Sequence, residues 1–265
     1  MTRDVDYQIF AAAPRVSERA MQQLRNAPNL TLIDAPATPE RVSREHAYYL
    51  DILAAAALQA GASAIATFDM DSFPIRPNWA SSLMEQLTLE TPLAAILRSE
   101  NGDTVIPHPS GLICRADFIE DHHPRFFPDD IEERDQAWLI SQAQRLDTGV
   151  GYALALKSAG KDWIKLHRTN RHDFHPVLAG VYSDLVFHLG AAGRPPVFYA
   201  DFLNEADGEA LYNARKDPGS KEAFQARSKV IAARNKLILD DITAALKTDP
   251  QAFFDQLTGN PNTKS

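Results

Sequence analysis

The chain has 265 residues, 45% hydrophobic and 23% charged, the balance of an ordinary globular protein rather than of a disordered, collagenous or disulfide-stapled one. A net charge of −8 speaks against a general nucleic-acid footprint, and a single cysteine, Cys114, permits no internal disulfide and fits a reducing compartment. No apolar run approaches the ~20 residues of a membrane span, and the opening Met1-Thr2-Arg3-Asp4-Val5-Asp6 has no apolar stretch of signal type, so a cytoplasmic location is expected.

In chain order, Tyr7 to Ala11 predicts a short buried strand, Val16 to Arg25 a helix, and Leu30 to Ile33 a second strand. Thr38-Pro39-Glu40 supplies a helix cap, a first-turn proline and an acidic residue, so a long helix is expected from there to about Ala60, ended by Gly61. Ala64 to Phe68 is an apolar strand running into Asp69-Met70-Asp71, and Pro77 opens a helix through Leu87. Alternating strand and helix predicts an α/β fold, a mostly parallel sheet flanked by helices. Further strands at Ala94 to Leu97, Leu112 to Cys114 and Leu185 to Leu189 make the sheet mixed, with helices near Asp130 to Arg145 and Thr148 to Ala159. From about Asn204 the residues become good helix formers, with Phe224, Ile231, Ile238 and Ile242 at helical spacing. The expected organisation is therefore one α/β body over 1–203 and a helical extension over 204–265, which packs its apolar stripe on the α/β body and whose helices offer a surface for oligomerisation. The residues from Gly259 onward read as a frayed tail.

Ligands of open α/β sheets bind at the carboxyl ends of strands, where Asp69 and Asp71 fall. Two carboxylates two residues apart can face one hard divalent cation, whose preference for oxygen ligands joins carboxylates to phosphates. Spacing alone does not decide, because Asp4-Val5-Asp6 repeats it ahead of a strand, and Asp71-Ser72 before Phe73-Pro74 would equally suit a capped turn.

The run Phe68-Asp69-Met70-Asp71-Ser72-Phe73-Pro74-Ile75, with Trp79 after it, resembles the D-x-D segment of GT-A-fold glycosyltransferases, in particular a bacterial group with sequences like D-S-D-A-F-P-I. Pro107-His108-Pro109-Ser110, Asp147-Thr148-Gly149, Arg168-Thr169-Asn170, and Gly180-Val181-Tyr182-Ser183-Asp184 with Phe187-His188-Leu189-Gly190-Ala191 resemble that group's other blocks in the same order. The chain departs from the pattern at Ser183, where glycine is expected, and at Leu189, where a second histidine is. The resemblance covers about Tyr7 to Arg194 and implies a GT-A-like, Rossmann-related fold and transfer of a sugar from a nucleotide-diphosphate sugar, a UDP-sugar foremost, to a saccharide or other hydroxyl acceptor.

That resemblance implies a Mn²⁺ or Mg²⁺ ion held by Asp69, Asp71 and His188, and an inverting mechanism with Asp147 as general base. It further implies nucleotide-sugar contacts from Ala12, Pro14, Asp34, His46, Asp69 and Met70, and acceptor or diphosphate contacts from Arg168, Asn170 and Arg194. Each has a plainer reading: His188 as a core histidine, Asp147 as the N-cap of the following helix, Asp34 as a strand-ending turn residue, and Gly190 to Arg194 as a loop. His46 and Asp51 point about 140° apart on a helix and cannot share one tight metal site. Asp121-His122-His123 is expected in a solvated loop and Cys114 in the core. The alternatives are a nucleotidyltransferase of related architecture, against which Ala11-Ala12-Ala13-Pro14-Arg15 lacks the Gly-rich basic loop, and a non-catalytic nucleotide-sugar-binding or assembly subunit. A hydrolase of haloacid-dehalogenase type is disfavoured by Phe73-Pro74 where a threonine should follow the acidic pair.

Overall fold

The structure, a computed structural model of the chain, describes residues 4–190, 199–202, 206–214, 219 and 221–259. Its strands are β1 (Ile9–Ala11), β2 (Leu30–Leu32), β3 (Ala64–Thr67), β4 (Ser72–Pro74), β5 (Leu93–Ile96), β6 (His108–Arg115), β7 (Ile164–Leu166), β8 (Leu178–Tyr182) and β9 (Val186–Gly190). Its helices are α1 (Glu18–Arg25), α2 (Val42–Gln59), α3 (Trp79–Met84), α4 (Ala116–His122), α5 (Glu133–Ser141), α6 (Val150–Ala159), α7 (Gly208–Ala214), α8 (Lys221–Thr248) and α9 (Pro250–Thr258). The chain divides into two compact units, one of residues up to Asp69 with Arg76–Leu97 and Thr104–Leu166, the other of Met70–Ile75, Arg98–Asp103 and the residues from His167 onward.

In the first unit β1 and β2 pair in parallel, Ile9 opposite Leu30 and Ala11 opposite Leu32. A second sheet runs β3-β6-β5-β7, with β6 antiparallel to both neighbours and only β5–β7 parallel. The sheet is mixed, as the later strands predict, but the expectation that it is mostly parallel is corrected. A parallel return needs a crossover of a dozen or more residues, usually through a helix, whereas only a 3₁₀ turn at Ser99–Asn101 lies between β5 and β6. β5 is buried along its whole length, as its unbroken apolar run Leu93-Ala94-Ala95-Ile96 requires of a strand covered on both faces. Against this sheet pack Ala47, Leu50, Ala54 and Ala57 of α2 and Val150, Tyr152 and Ala153 of α6. Cys114 is fully buried in the same core and burial pushes its thiol pKa up, so it is an inert core residue as expected.

The long helix α2 begins at Val42 rather than at Pro39. Thr38 Oγ1 accepts from the Glu40 amide at 3.2 Å, so the Thr-Pro-Glu signal builds a turn ahead of the helix instead of its first turn. Gly61, at φ 82°, follows the helix where expected. Asp121-His122-His123 closes α4, with His123 left-handed at φ 46°, and is not a loop.

The second unit holds an antiparallel sheet in the order β4-β9-β8. Leu178, Val181 and Phe187 of that sheet pack with Ile242 of α8 and Phe253 and Leu257 of α9. Ile231 and Ile242 are fully buried, so the apolar stripe of α8 serves its own unit. The sequence reading does not anticipate β4, β7 or β8: β4 contains Pro74, β7 has Lys165 at its centre, and β8 holds Ala179 and Gly180, all poor strand formers. Among the described residues no helix is long and apolar enough to cross a membrane.

Candidate functional site

β9 is the middle strand of the second unit's sheet, and its residue His188 sits opposite Ser72 on one side and Gly180 on the other. Asp71 immediately precedes β4. Its carbonyl accepts from the Leu189 amide at 2.9 Å, extending the ladder by one bond and aligning Asp71 with the His188 region. The result is His188 Nε2 3.6 Å from Asp71 Oδ1, the histidine side chain buried and the carboxylate half-buried. That separation is beyond a normal hydrogen bond. Two ligands each about 2.1 Å from one cation, at right angles, stand about 3 Å apart, so this nitrogen–oxygen pair fits a shared divalent ion with little adjustment. The turn reading of Asp71-Ser72 is corrected: Ser72 belongs to a strand, and that strand is what aims Asp71.

Asp69 ends the first segment of the first unit, two residues after β3 ends, with its Oδ1 3.0 Å from Nε2 of His46. His46 therefore has an acidic neighbour that its distance in sequence concealed. Asp51 turns elsewhere on α2, accepting from the Phe126 amide at 2.9 Å and from Arg125 Nε at 3.3 Å, and burial raises its carboxyl pKa. The separation of His46 and Asp51 around the helix is as the 100° period demands. Between the two acidic residues, Met70 is 98% exposed, which leaves its side chain accessible instead of packed.

Ala12, Pro14 and Asp34 follow the carboxyl ends of β1 and β2, which end level with each other at the Ala11–Leu32 pair. The Ile33 amide donates to the Ala11 carbonyl at 2.8 Å, extending the pairing one step further, and Asp34 beyond it is exposed. This is the position at which parallel α/β strands receive ligands.

Asp147 is not the N-cap of α6. That place is taken by Gly149, at φ 102°, with no side-chain cap bond. A β-carbon on Gly149 would lie 2.2 Å from the Pro107 carbonyl oxygen, so only glycine lets the chain pass there. Asp147 Oδ1 instead accepts from the Thr148 amide at 2.8 Å and from the Ser43 hydroxyl at 2.7 Å. Ser43 lies in the first turn of α2, 104 residues earlier in the chain, so no local pattern could reveal the partnership. One signal was present: the face of α2 that buries Ala47, Leu50, Ala54 and Ala57 carries Ser43 and His46 at its start, and polar groups on a buried face need polar partners.

Arg168 and Asn170 are engaged in holding the second unit together. The Arg168 Nη2 donates to Asp173 at 2.7 Å and to the carbonyls of Leu178 and His175 at 2.9 and 3.2 Å. Asn170 bonds β8 at both ends of its amide, donating to the Ala179 carbonyl at 2.8 Å and accepting from the Val181 amide at 2.6 Å. Gly190 is required by packing, since a β-carbon there would lie 2.4 Å from the Val177 carbonyl oxygen at a φ of 84°. Arg194 and the tail beyond Gly259 lie outside the described residues.

No protein-family model matches the chain, and comparison with curated proteins and with solved structures returns no match.

Proposed function

We propose that the chain is a metal-dependent glycosyltransferase of GT-A type, moving a sugar from a nucleotide-diphosphate sugar, foremost a UDP-sugar, to a hydroxyl acceptor with inversion at the anomeric carbon. The observation that carries this reading is the pairing of Asp71 with His188, two ligand-type side chains 117 positions apart in the chain and 3.6 Å apart in space. Asp69 is tethered to Asp71 through Met70 alone, so chain length lets both carboxylates reach one cation. A Mn²⁺ or Mg²⁺ ion held by Asp71, His188 and Asp69 would supply Lewis-acid stabilisation of the departing diphosphate. The ends of β1 and β2, with Ala12, Pro14 and Asp34, receive the base and ribose. Asp147 takes the proton from the acceptor hydroxyl as that oxygen attacks the sugar, and its carboxylate is already oriented by two donors.

The test is a thermal-shift screen of UDP, GDP, CDP and dTDP sugars with and without Mn²⁺ or Mg²⁺, since a ligand of the native state alone raises Tm by linkage. The expected result is a cation-dependent rise that disappears in Asp71→Ala and weakens in His188→Ala. A cation-dependent nucleotide response that survives the Asp69→Ala, Asp71→Ala double variant would sink the reading.

A further inference from the structure

We propose that Ser43 is a positioning residue for Asp147; the role rests on Asp147 being the base that accepts the acceptor's proton. Ser43 and the Asp147–Thr148 segment are joined in both directions. The Ser43 hydroxyl donates to Asp147 Oδ1 at 2.7 Å, and the Ser43 carbonyl accepts from the Thr148 hydroxyl at 3.1 Å. Thr148 is buried and adds its own amide to Asp147 Oδ1 at 2.8 Å. The following residue, Gly149, donates its amide to the Phe126 carbonyl at 2.7 Å and is pressed against the Pro107 carbonyl. With the backbone pinned just after Asp147 and donors from Ser43 and Thr148 on one carboxylate oxygen, the carboxylate is oriented before any substrate arrives.

This arrangement matters to a base in two ways. A proton acceptor works only within hydrogen-bond reach and correct direction of the hydroxyl it serves, and a misplacement of 1 Å can cost about a hundredfold in rate. Donors to a carboxylate also favour its ionised form, the form that accepts a proton. Ser43 donates from a segment distant in the chain, so it transmits the position of α2 to the carboxylate. The residue before it, Val42, is β-branched yet left-handed at φ 54° and 83% exposed, so packing does little to offset an unfavourable backbone. The two Ser43 bonds follow directly on that turn and give a reason for it.

A purely structural tie between α2 and the Asp147 segment would show the same contacts, so the test must separate the two. The probe is hydrolysis of UDP-glucose by the full chain with Mn²⁺, water taking the acceptor's place. Asp147→Asn should lower kcat by about 10²–10⁴-fold. Ser43→Ala should lower kcat about tenfold while KM for UDP-glucose stays within about twofold, and Ser43→Thr, which keeps the hydroxyl, should restore most of the rate. In the Asp147→Asn background Ser43→Ala should cost nothing further, because the positioned group is no longer a base. Should Ser43→Ala fold poorly, Ser43→Cys keeps the shape with a weaker donor and should fall between wild type and the alanine expectation. A wild-type kcat for Ser43→Ala alongside a collapsed Asp147→Asn overturns the positioning role alone, as does an equal loss in both backgrounds. A wild-type rate for Asp147→Asn overturns instead the assignment of the base on which it rests.

Discussion

The hydroxyl of Tyr182, the last residue of β8, donates to Oε1 of Glu100 in the 3₁₀ turn after β5, 82 positions away in the chain. Both side chains are largely buried, and the Arg168 guanidinium lies 3.9 Å from the same Glu100 oxygen. Burial outweighs that distant cation and the tyrosine bond, and raises the Glu100 carboxyl pKa above its ordinary value of 4.5.

A group whose pKa is higher folded than unfolded stabilises the fold fully below its unfolded value and loses that contribution as pH rises through the folded one. Glu100→Gln keeps an acceptor for Tyr182 and removes the buried charge. The stability of the variant relative to wild type should therefore improve between pH 4 and pH 7, read by denaturant melts at the two values. A relative stability that worsens over that interval would show that Arg168, not burial, governs Glu100.

The β8–β9 hairpin turns at Ser183 and Asp184, both left-handed at φ 50° and 55°, with the Leu185 amide donating to the Tyr182 carbonyl at 3.0 Å. This is the backbone of a type I′ turn, which favours glycine or asparagine at both central positions. Asp184 repays its strain through Thr169, whose hydroxyl is 2.9 Å from its carboxylate. Ser183 is left-handed as well, and glycine is the residue its φ asks for. Ser183→Gly should raise unfolding stability by about 0.5–1 kcal/mol, the relief of left-handed strain less the entropy of a freer unfolded chain. A loss of stability in urea melts would count against the turn as described.

The two acidic pairs of like spacing have opposite fates. Asp4 Oδ2 accepts from the Ser81 amide at 3.1 Å, capping the first turn of α3 from a distance. Asp4→Ala should therefore cost about 1 kcal/mol of stability, as the loss of a helix cap does, and leave any response to Mn²⁺ intact. Asp71→Ala should do the reverse. Equal stabilities for wild type and Asp4→Ala in a denaturant titration would remove the capping role.

Much of both units is legible because the signals are local. The apolar run of β5, the ending of α2 before Gly61 and the apolar stripe of α8 each depend on residues within a turn or two. The start of α2 was misplaced for the complementary reason: Thr38 and Pro39 suit a helix cap and a preceding turn alike, and only the surrounding chain chooses. β4, β7 and β8 escape a local reading because Pro74, Lys165 and Ala179-Gly180 are poor strand formers, and these strands exist by pairing with β9 and β5.

Composition and spacing by themselves determined an α/β chain whose acidic pair at Asp69 and Asp71 follows the third strand, because strand alternation, helix periodicity and turn chemistry are written in neighbouring residues. Only the tertiary structure decided that β6 runs antiparallel, that His188 faces Asp71, that His46 meets Asp69 and that Ser43 holds Asp147. These depend on which strands pair and which helix faces meet, and they join residues 23 to 117 positions apart through packing and pairing that no local window contains.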